Sequence, residues 1–277
     1  ASPFDLMKSD ARMAHAVSRV HESGLPLVYV NMVGGQDELV YDGASFALNA
    51  DGKLAAHLPS FSETTSVIRV GEDFGVPSLT GQMTPPDDGM CALYRGLTLG
   101  LRDYIDKNGF PGVVLGLSGG IDSAIVAALA VDALGAERVH AVMMPSPYTS
   151  QESLDDAADL AGRLGIRLDE ISIAPAMQAM GDMMAPQFDA TSADITEENI
   201  QSRLRGLILM GISNKHGPLV LATGNKSEYA AGYSTLYGDM CGGFAPIKDV
   251  WKVQVFDLCR WRNANMPRGG AGPEGEV

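Results

Sequence analysis

The sequence predicts an α/β protein, with a doubly wound parallel sheet over residues 90–277 preceded by a β-rich segment over residues 1–70. Three observations carry that reading. Beyond residue 110, short Val/Leu-rich runs alternate with helical patterns, which is how βαβ units read and how a parallel sheet covered by helices on both faces arises. Before residue 70, apolar residues alternate around turn signals instead, as hairpins do. Between the two lies "GEDFGVPSLTGQMTPPDDG" (71–89), rich in Gly, Pro and Asp, which reads as an interdomain linker.

Within the first segment, "LPLVYVNMV" (25–33) is a strand. "LVYDGASFALNADGKLAAHLP" (39–59) alternates around a turn at Asn49–Gly52. From residue 90 the period changes. "MCALYRGLTLGLRDYIDKNG" (90–109) places Leu93, Leu97, Leu101 and Ile105 on one helical face, and Gly109 stops the helix. There follow strand 113–117, helix 122–134, strand 139–144, helix 151–164, strand 168–173, helix 197–211 and strand 219–223. In the helix at 197–211, Ile200, Leu204, Leu207 and Ile208 form an apolar face. Asn199 and Arg203 lie four apart on one flank, Gln201 and Arg205 on the other, where the arginines can reach a phosphate or carboxylate.

Composition narrows the function. Apolar residues make up 45% of the chain and charged ones 19%, the balance of a folded soluble protein. A net charge of −14 with no Lys/Arg run argues against nucleic acid or an anionic membrane as partner. No apolar stretch reaches the ~18 residues of a membrane span, and no signal peptide is visible. Cys91, Cys241 and Cys259 form neither a CxxC pair nor a disulfide framework, so a reducing cytoplasm is the expected compartment. Cys91 and Cys259 read as helix and core residues. Cys241 sits in a loop with no neighbouring base, and His140 reads as a packed strand residue.

Open parallel sheets bind ligands beyond the carboxyl ends of their strands. Three strand ends in succession carry glycines, hydroxyls and charges: Ser118-Gly119-Gly120-Ile121-Asp122-Ser123, then "PSPYTS" (145–150), then "GNKSEYAAGY" (224–233). In the first, paired glycines let backbone amides point inward, and the helix that follows adds its positive end. Ser118 and Ser123 add hydroxyl donors. There is no GxxxxGK[ST] Walker loop and no GxGxxG fingerprint. Asp122 is the puzzle, because a carboxylate repels phosphate unless a cation lies between, and Mg²⁺ is the usual one. Helix capping would account for the aspartate alone, not for the glycines and serines around it. The loop is therefore expected to hold a Mg²⁺-chelated pyrophosphate, with a second carboxylate from another strand end completing the metal site.

"SGGIDS" (118–123) resembles the pyrophosphate loop of the N-type ATP pyrophosphatases, an adenine nucleotide alpha hydrolase-like fold that includes NAD, GMP and asparagine synthetases and tRNA-thiolating enzymes. The loop alone does not choose among them. "LATGNKSEYAAGYSTLYGDMCGGFAPIKDVWKVQV" (221–255) resembles the NAD synthetases, as does "TEENIQSRLRG" (196–206), while "MPSPYTS" (144–150) resembles the loop that approaches ATP. "ASPF" and "VNMVGGQDELVYDGASF" (30–46) resemble the closing, β-rich part of the nitrilase-like α-β-β-α glutaminase domain of the glutamine-dependent members.

The resemblance implies an ATP-dependent carbon–nitrogen ligase that adenylates the nicotinate carboxylate of deamido-NAD and lets ammonia displace AMP. It implies that ATP and pyrophosphate meet Ser118, Gly119, Gly120, Ile121, Asp122, Ser123, Thr223 and Lys252, with Asp122 and Lys252 catalytic. Mg²⁺ is implied on Asp122 and Glu228, and deamido-NAD at Asn199, Arg203, Arg205, Glu228 and Asp239. Ser2 matches a glutamine-contacting position, and the family pattern suggests a homodimer. The Glu, Lys and Cys of the family's glutaminase lie ahead of "ASPF" and are not in this sequence. Both ends read as cuts within a longer protein, whose ammonia would come from glutamine. A GMP-synthetase-like amidotransferase, or a fragment that binds nucleotide without turnover, are the competing readings.

Overall fold

The computed structural model describes residues 2–73, 75–87, 89–189 and 191–277. Ala1 of the "ASPF" stretch, and Phe74 and Asp88 of the expected linker, lie outside the described residues. The chain divides into two compact units, Ala1–Tyr104 and Ile105–Val277.

The first unit opens with a helix the sequence reading did not anticipate, α1 (Lys8–Ser23), closed by Gly24 at φ 68°. Its Ala16 and Val20 pack on Phe46 and Leu48. Strands β1 (Leu27–Tyr29), β4 (Phe46–Leu48) and β5 (Leu54–His57) form an antiparallel sheet in the order β1-β4-β5, while β2 (Val33–Gln36) and β3 (Leu39–Asp42) form a separate hairpin. The expected turn joins β4 to β5: Asn49 N–H donates to the Lys53 carbonyl and Gly52 N–H to the Asn49 carbonyl. The 71–89 stretch is not simply an extended linker. Strands β6 (Arg69–Asp73) and β7 (Val76–Thr80) pair antiparallel around Gly75 at φ 81°. The Gly and Pro content serves a tight hairpin, and the chain beyond β7 then bonds along β5 (Gly81 N–H to Ala55 O, His57 N–H to Gln82 O). Helix α2 (Gly89–Lys107) follows. Its Ala92 and Leu99 cluster with Phe4, Val33, Val40 and Phe61, which places that part of the helix in the first unit.

The second unit is the predicted α/β sheet. Strands β8 (Val113–Gly116), β9 (Val139–Met143), β10 (Arg167–Glu170) and β11 (Leu219–Val220) are parallel and ordered β10-β9-β8-β11. Helix α3 (Ile121–Leu134) is buried from Ile125 to Leu134, as an Ala/Val/Leu helix without a polar stripe must be. Helix α4 (Gln151–Leu164) links β9 to β10. Helices α5 (Ala174–Phe188) and α6 (Ile195–His216) return the chain to β11, and α7 (Lys226–Ala231) and α8 (Lys252–Ala264) complete the unit. Val114, Val142, Leu209 and Val220 form one continuous core between sheet and α6.

Two details depart from the sequence reading. Strand β11 ends at Val220: the Leu221 N–H still donates to the Val114 carbonyl of β8, but the next N–H, that of Ala222, donates to the Phe244 carbonyl. The buried side of α6 is Gly206 and Leu209, with Ile208 and Ile212 packed beside them, whereas Leu207 is 69% exposed. The stripe expected through Ile200, Leu204 and Leu207 is therefore rotated. Among the described residues, no helix is long and apolar enough to cross a membrane.

Candidate active site

The chain runs outward from β8 through β9 to β10, then returns to lay β11 on the other side of β8. That reversal leaves a crevice past the carboxyl ends of β8 and β11, the place where open parallel sheets take ligands. A cleft of about 680 Å³ lies there, bordered by Ser118, Met144, Thr149, Asn199, Arg205 and Thr223 among others. A smaller hollow of about 190 Å³ shares Ser118, Thr223 and Asp239 with it and adds Gly120, Asp122, Ser123 and Glu228. The sequence-predicted loop and the 223–239 segment thus meet in space.

The loop after β8 is held mainly by its own residues. The Ser123 hydroxyl donates to the Gly120 carbonyl at 2.9 Å and accepts from Ser118 N–H at 3.3 Å, while Ser118 Oγ accepts from Gly120 N–H at 3.3 Å. Gly119 has φ 76°, and a Cβ there would lie 2.4 Å from the Ser153 carbonyl oxygen, so both backbone shape and space require glycine. The N-cap of α3 is Gly120, and no side chain caps the helix. An uncapped N-terminus of a 14-residue helix presents open amides and a partial positive charge, which is what an anion needs.

Asp122 is therefore not the helix cap. Its Oδ1 accepts from Asn225 Nδ2 at 3.0 Å, and its Oδ2 pairs with Lys252 Nζ. Asn225 is fully buried and is the residue that sequence reasoning missed. Its own Oδ1 accepts from the N–H groups of Ser227 (2.9 Å) and Glu228 (3.1 Å), while Glu228 Oε2 accepts from Asn225 N–H (2.9 Å). This is a capping box on α7, and its N-x-x-E spacing stands in the sequence at 225–228. Lys252 opens α8, where its N–H donates to Ser227 Oγ at 3.0 Å. The buried Asn225 amide thus ties α7 to the phosphate loop, and the Ser227 hydroxyl ties α7 to α8.

The residues expected around deamido-NAD separate into two groups. Asn199, Arg205, Glu228 and Asp239 line one or other of the clefts, but Arg203 is exposed and donates to the Leu236 carbonyl at 3.1 Å. Asn199 accepts from Thr235 Oγ1 at 2.9 Å, and Asp239 accepts from Thr235 N–H at 2.7 Å. These contacts brace the loop at 234–239 against α6. The row of α6 that faces the cleft is Asn199, Ser202, Arg205, Gly206 and Leu209, which crosses the two flanks drawn from the sequence. Arg205 donates from Nε to the Met144 carbonyl at 3.2 Å, and burial lowers its pKa from the usual value. A half-buried guanidinium whose hydrogen bond among the described residues is to a carbonyl is a ready partner for an anion.

Gly119, Ile121 and Lys252 border neither cleft; Gly119 shapes the loop and Lys252 pairs with Asp122. Ser2 lies in the first unit, where its N–H donates to Asn31 Oδ1 at 2.8 Å and its carbonyl accepts from Asn31 Nδ2 at 3.0 Å. Cys241 borders the larger cleft. Cys259 is half-buried, and burial, with the charge of Asp122 added, pushes its thiol up to about 11, so it stays protonated and inert. Among the described residues no group of three or more His, Cys, Asp and Glu side chains could hold a metal ion by itself.

The NAD synthase family model matches residues 93–269, which include the loop, the cleft-facing row of α6 and both Asn225 and Lys252. The chain belongs to the NAD synthase family. It is 53% identical over its whole length to the glutamine-dependent NAD(+) synthetase of Rhodobacter capsulatus, covering 50% of that protein. It is 50% identical to that of Xanthomonas campestris pv. campestris, over 95% of the chain and 48% of the relative. The chain therefore spans about half the length of the curated relatives it matches. Among solved structures, the glutamine-dependent NAD+ synthetase of Acinetobacter baumannii in complex with ADP matches with a TM-score of 0.91 at 47% identity, covering 96% of this chain and 51% of that one. The NH3-dependent NAD synthetase of Campylobacter jejuni in complex with nitrate matches with a TM-score of 0.59 at 31% identity, covering 64% and 75%. The NAD synthase fold of the second unit is thus shared with members that differ in their nitrogen source.

Proposed function

We propose that this chain carries the synthetase half-reaction of a glutamine-dependent NAD(+) synthetase, the ATP-dependent amidation of deamido-NAD. The observation that carries the reading is the placement of Asp122 inside an otherwise anion-seeking loop, between Lys252 and Asn225, with Glu228 bordering the same hollow. In the reaction, a nicotinate carboxylate oxygen attacks the α-phosphorus of ATP and the bond to the β-phosphate oxygen breaks, releasing pyrophosphate. Ammonia then attacks the activated carbonyl carbon, loses a proton, and AMP leaves. No protein nucleophile is required for either step.

The chain's own part is electrostatic. The open amides at the start of α3 and the hydroxyl of Ser118 receive the β- and γ-phosphates, Ser123 holds the loop in shape, and Lys252 supplies positive charge where the pyrophosphate departs. Arg205, Thr223, Asn199 and Asp239 border the larger cleft that receives the nucleotides, with Arg205 taking an anionic group of deamido-NAD. Asp122 and Glu228 are hard oxygen donors on one hollow and fit Mg²⁺, provided that phosphate oxygens and water complete the shell. Bound there, the ion would neutralise charge on the departing pyrophosphate.

The same reading makes residues 1–70 the closing part of a nitrilase-like glutaminase domain, with 71–89 connecting it to the synthetase over 90–277. Ser2 would then belong to the glutamine site. It also makes the working protein a cytoplasmic homodimer; exposed Leu207 and Met210 on α6, outside both clefts, support a further partner for that helix. Family membership favours deamido-NAD over the substrate of a GMP-synthetase-like enzyme.

The test is to incubate the chain with ATP, Mg²⁺, deamido-NAD and ammonium and to quantify NAD and AMP. Equimolar NAD and AMP are expected. ATP binding without AMP formation would contradict catalysis and leave a nucleotide-binding fragment.

A further inference from the structure

The two helices that meet at Asp122 and Lys252 are joined a second time. Asp132 follows Asp122 on α3 by the same interval that separates Arg262 from Lys252 on α8, so both pairs span 130 residues of sequence. Equal intervals mean that α3 and α8 run side by side in the same direction, with the pairs about 15 Å apart at 1.5 Å per residue. The second pair is a fork: Arg262 Nε donates to Asp132 Oδ2 at 2.7 Å and Nη2 to Oδ1 at 3.2 Å. Both side chains are 1% exposed, and neither borders the clefts.

The segment at 266–277 closes over this pair. Arg262 Nη2 donates to the Pro273 carbonyl at 2.6 Å and Nη1 to the Gly275 carbonyl at 3.3 Å, while Gly272 N–H donates to Asp132 Oδ1 at 3.2 Å. A Cβ on Gly272 would lie 2.2 Å from Asp132 Oδ1, so the backbone approaches as closely as it can. A buried ion pair adds little net stability over an apolar replacement, and fixing register is its best-attested use. The need is visible here. Toward its partners α3 offers mainly Ala, Val and Leu side chains, which resist separation far more than sliding. A slip of one residue would move α8 about 1.5 Å and turn Lys252 by about 100° away from Asp122.

We propose that Asp132 and Arg262 are positioning residues: their fork fixes the register of α8 against α3 and so holds Lys252 on the phosphate-loop aspartate. The inference deepens the synthetase reading and rests on it.

The test is a double-mutant cycle read by calorimetric binding of Mg·ATP to the full 277-residue chain. Arg262→Lys keeps the charge but removes the fork. In the native background, Lys252→Met weakens ATP binding by about tenfold, the scale of a charge-assisted hydrogen bond. In the Arg262→Lys background the same change costs less than about threefold, because the contact is already lost. A purely structural role would leave the two losses equal, and equal losses overturn the inference. Asp132→Asn, which preserves shape, repeats the cycle if Arg262→Lys does not fold, with thermal melting as the check on folding. Failure of the unmodified chain to bind ATP overturns the synthetase reading itself, whereas binding with additive losses overturns the register role alone.

Discussion

The loop after β8 and the segment 223–251 face each other across one crevice, yet they are built on opposite plans. In the loop, Ser118, Gly120 and Ser123 satisfy one another, and Gly119 fits only as glycine, so six consecutive residues define the shape. In the facing segment little regular structure is available beyond the short α7. Its order comes from Asn225, which caps α7 and reaches across to Asp122, and from Lys252, which pairs with the same carboxylate. One side is a template fixed locally, and the other is an arm placed by long-range contacts. An anion-binding loop can therefore be short and self-sufficient, while the charge that completes it has to be delivered from elsewhere in the fold.

The largest expected effect comes from attacking the template. Gly119→Ala sets a Cβ 2.4 Å from the Ser153 carbonyl at a φ of 76°. NAD formation should fall by more than about 100-fold, the loss typical of a removed oxyanion donor. Gly120→Ala meets only Ser118 Oγ at 3.2 Å and should fall by less than about tenfold. Equal losses at the two positions would mean that the loop is not shaped as described.

Asp122→Asn removes the charge that both plans share. Steady-state assays should show a drop of about 100-fold in kcat/KM for ATP, with thermal stability changed little, because the amide can still accept from Asn225. Asn225→Ala attacks the arm. It orphans two helix amides and one carboxylate oxygen in a fully buried position, which should cost about 2 kcal/mol in urea unfolding. Ser227→Ala, which removes one acceptor at the start of α8, should cost about 1 kcal/mol. A larger loss from Ser227 than from Asn225 would move the arm's anchor.

The smallest effect lies on the far side of the sheet. Burial, with the Arg167 charge added, lowers the His140 pKa below its ordinary 6.5, although Asp169 opposes the shift. The native state therefore resists a proton that the unfolded chain accepts. Stability should fall as pH drops through about 6.5 and level off below the native pKa. His140→Gln should flatten that slope in melts between about pH 5 and 7 while leaving the pH profile of NAD formation unchanged.

The two plans also explain what the sequence disclosed. The βαβ alternation, the hairpin at Asn49–Gly52 and the serines and glycines of the loop are local patterns, and each lies where the residues indicated. The buried face of α6 is not legible in the sequence because its apolar residues occur almost all round the helix and only packing selects the buried side. The 71–89 stretch shows the converse, since the same Gly and Pro residues suit a linker and a tight hairpin. Asn225 was legible through its N-x-x-E spacing as a cap, but its bond to Asp122 crosses 103 residues. Asp132 was conspicuous as the only charge in the buried stretch of α3, and nothing local to it points to Arg262.

The measurement closest to the central claim is exchange of labelled pyrophosphate into ATP by this chain, without any nitrogen source. Adenylation of deamido-NAD at the Asp122 loop predicts exchange that requires both deamido-NAD and Mg²⁺ and that Asp122→Asn abolishes. Exchange that proceeds without deamido-NAD, or label that never enters ATP while ADP accumulates, would contradict the account.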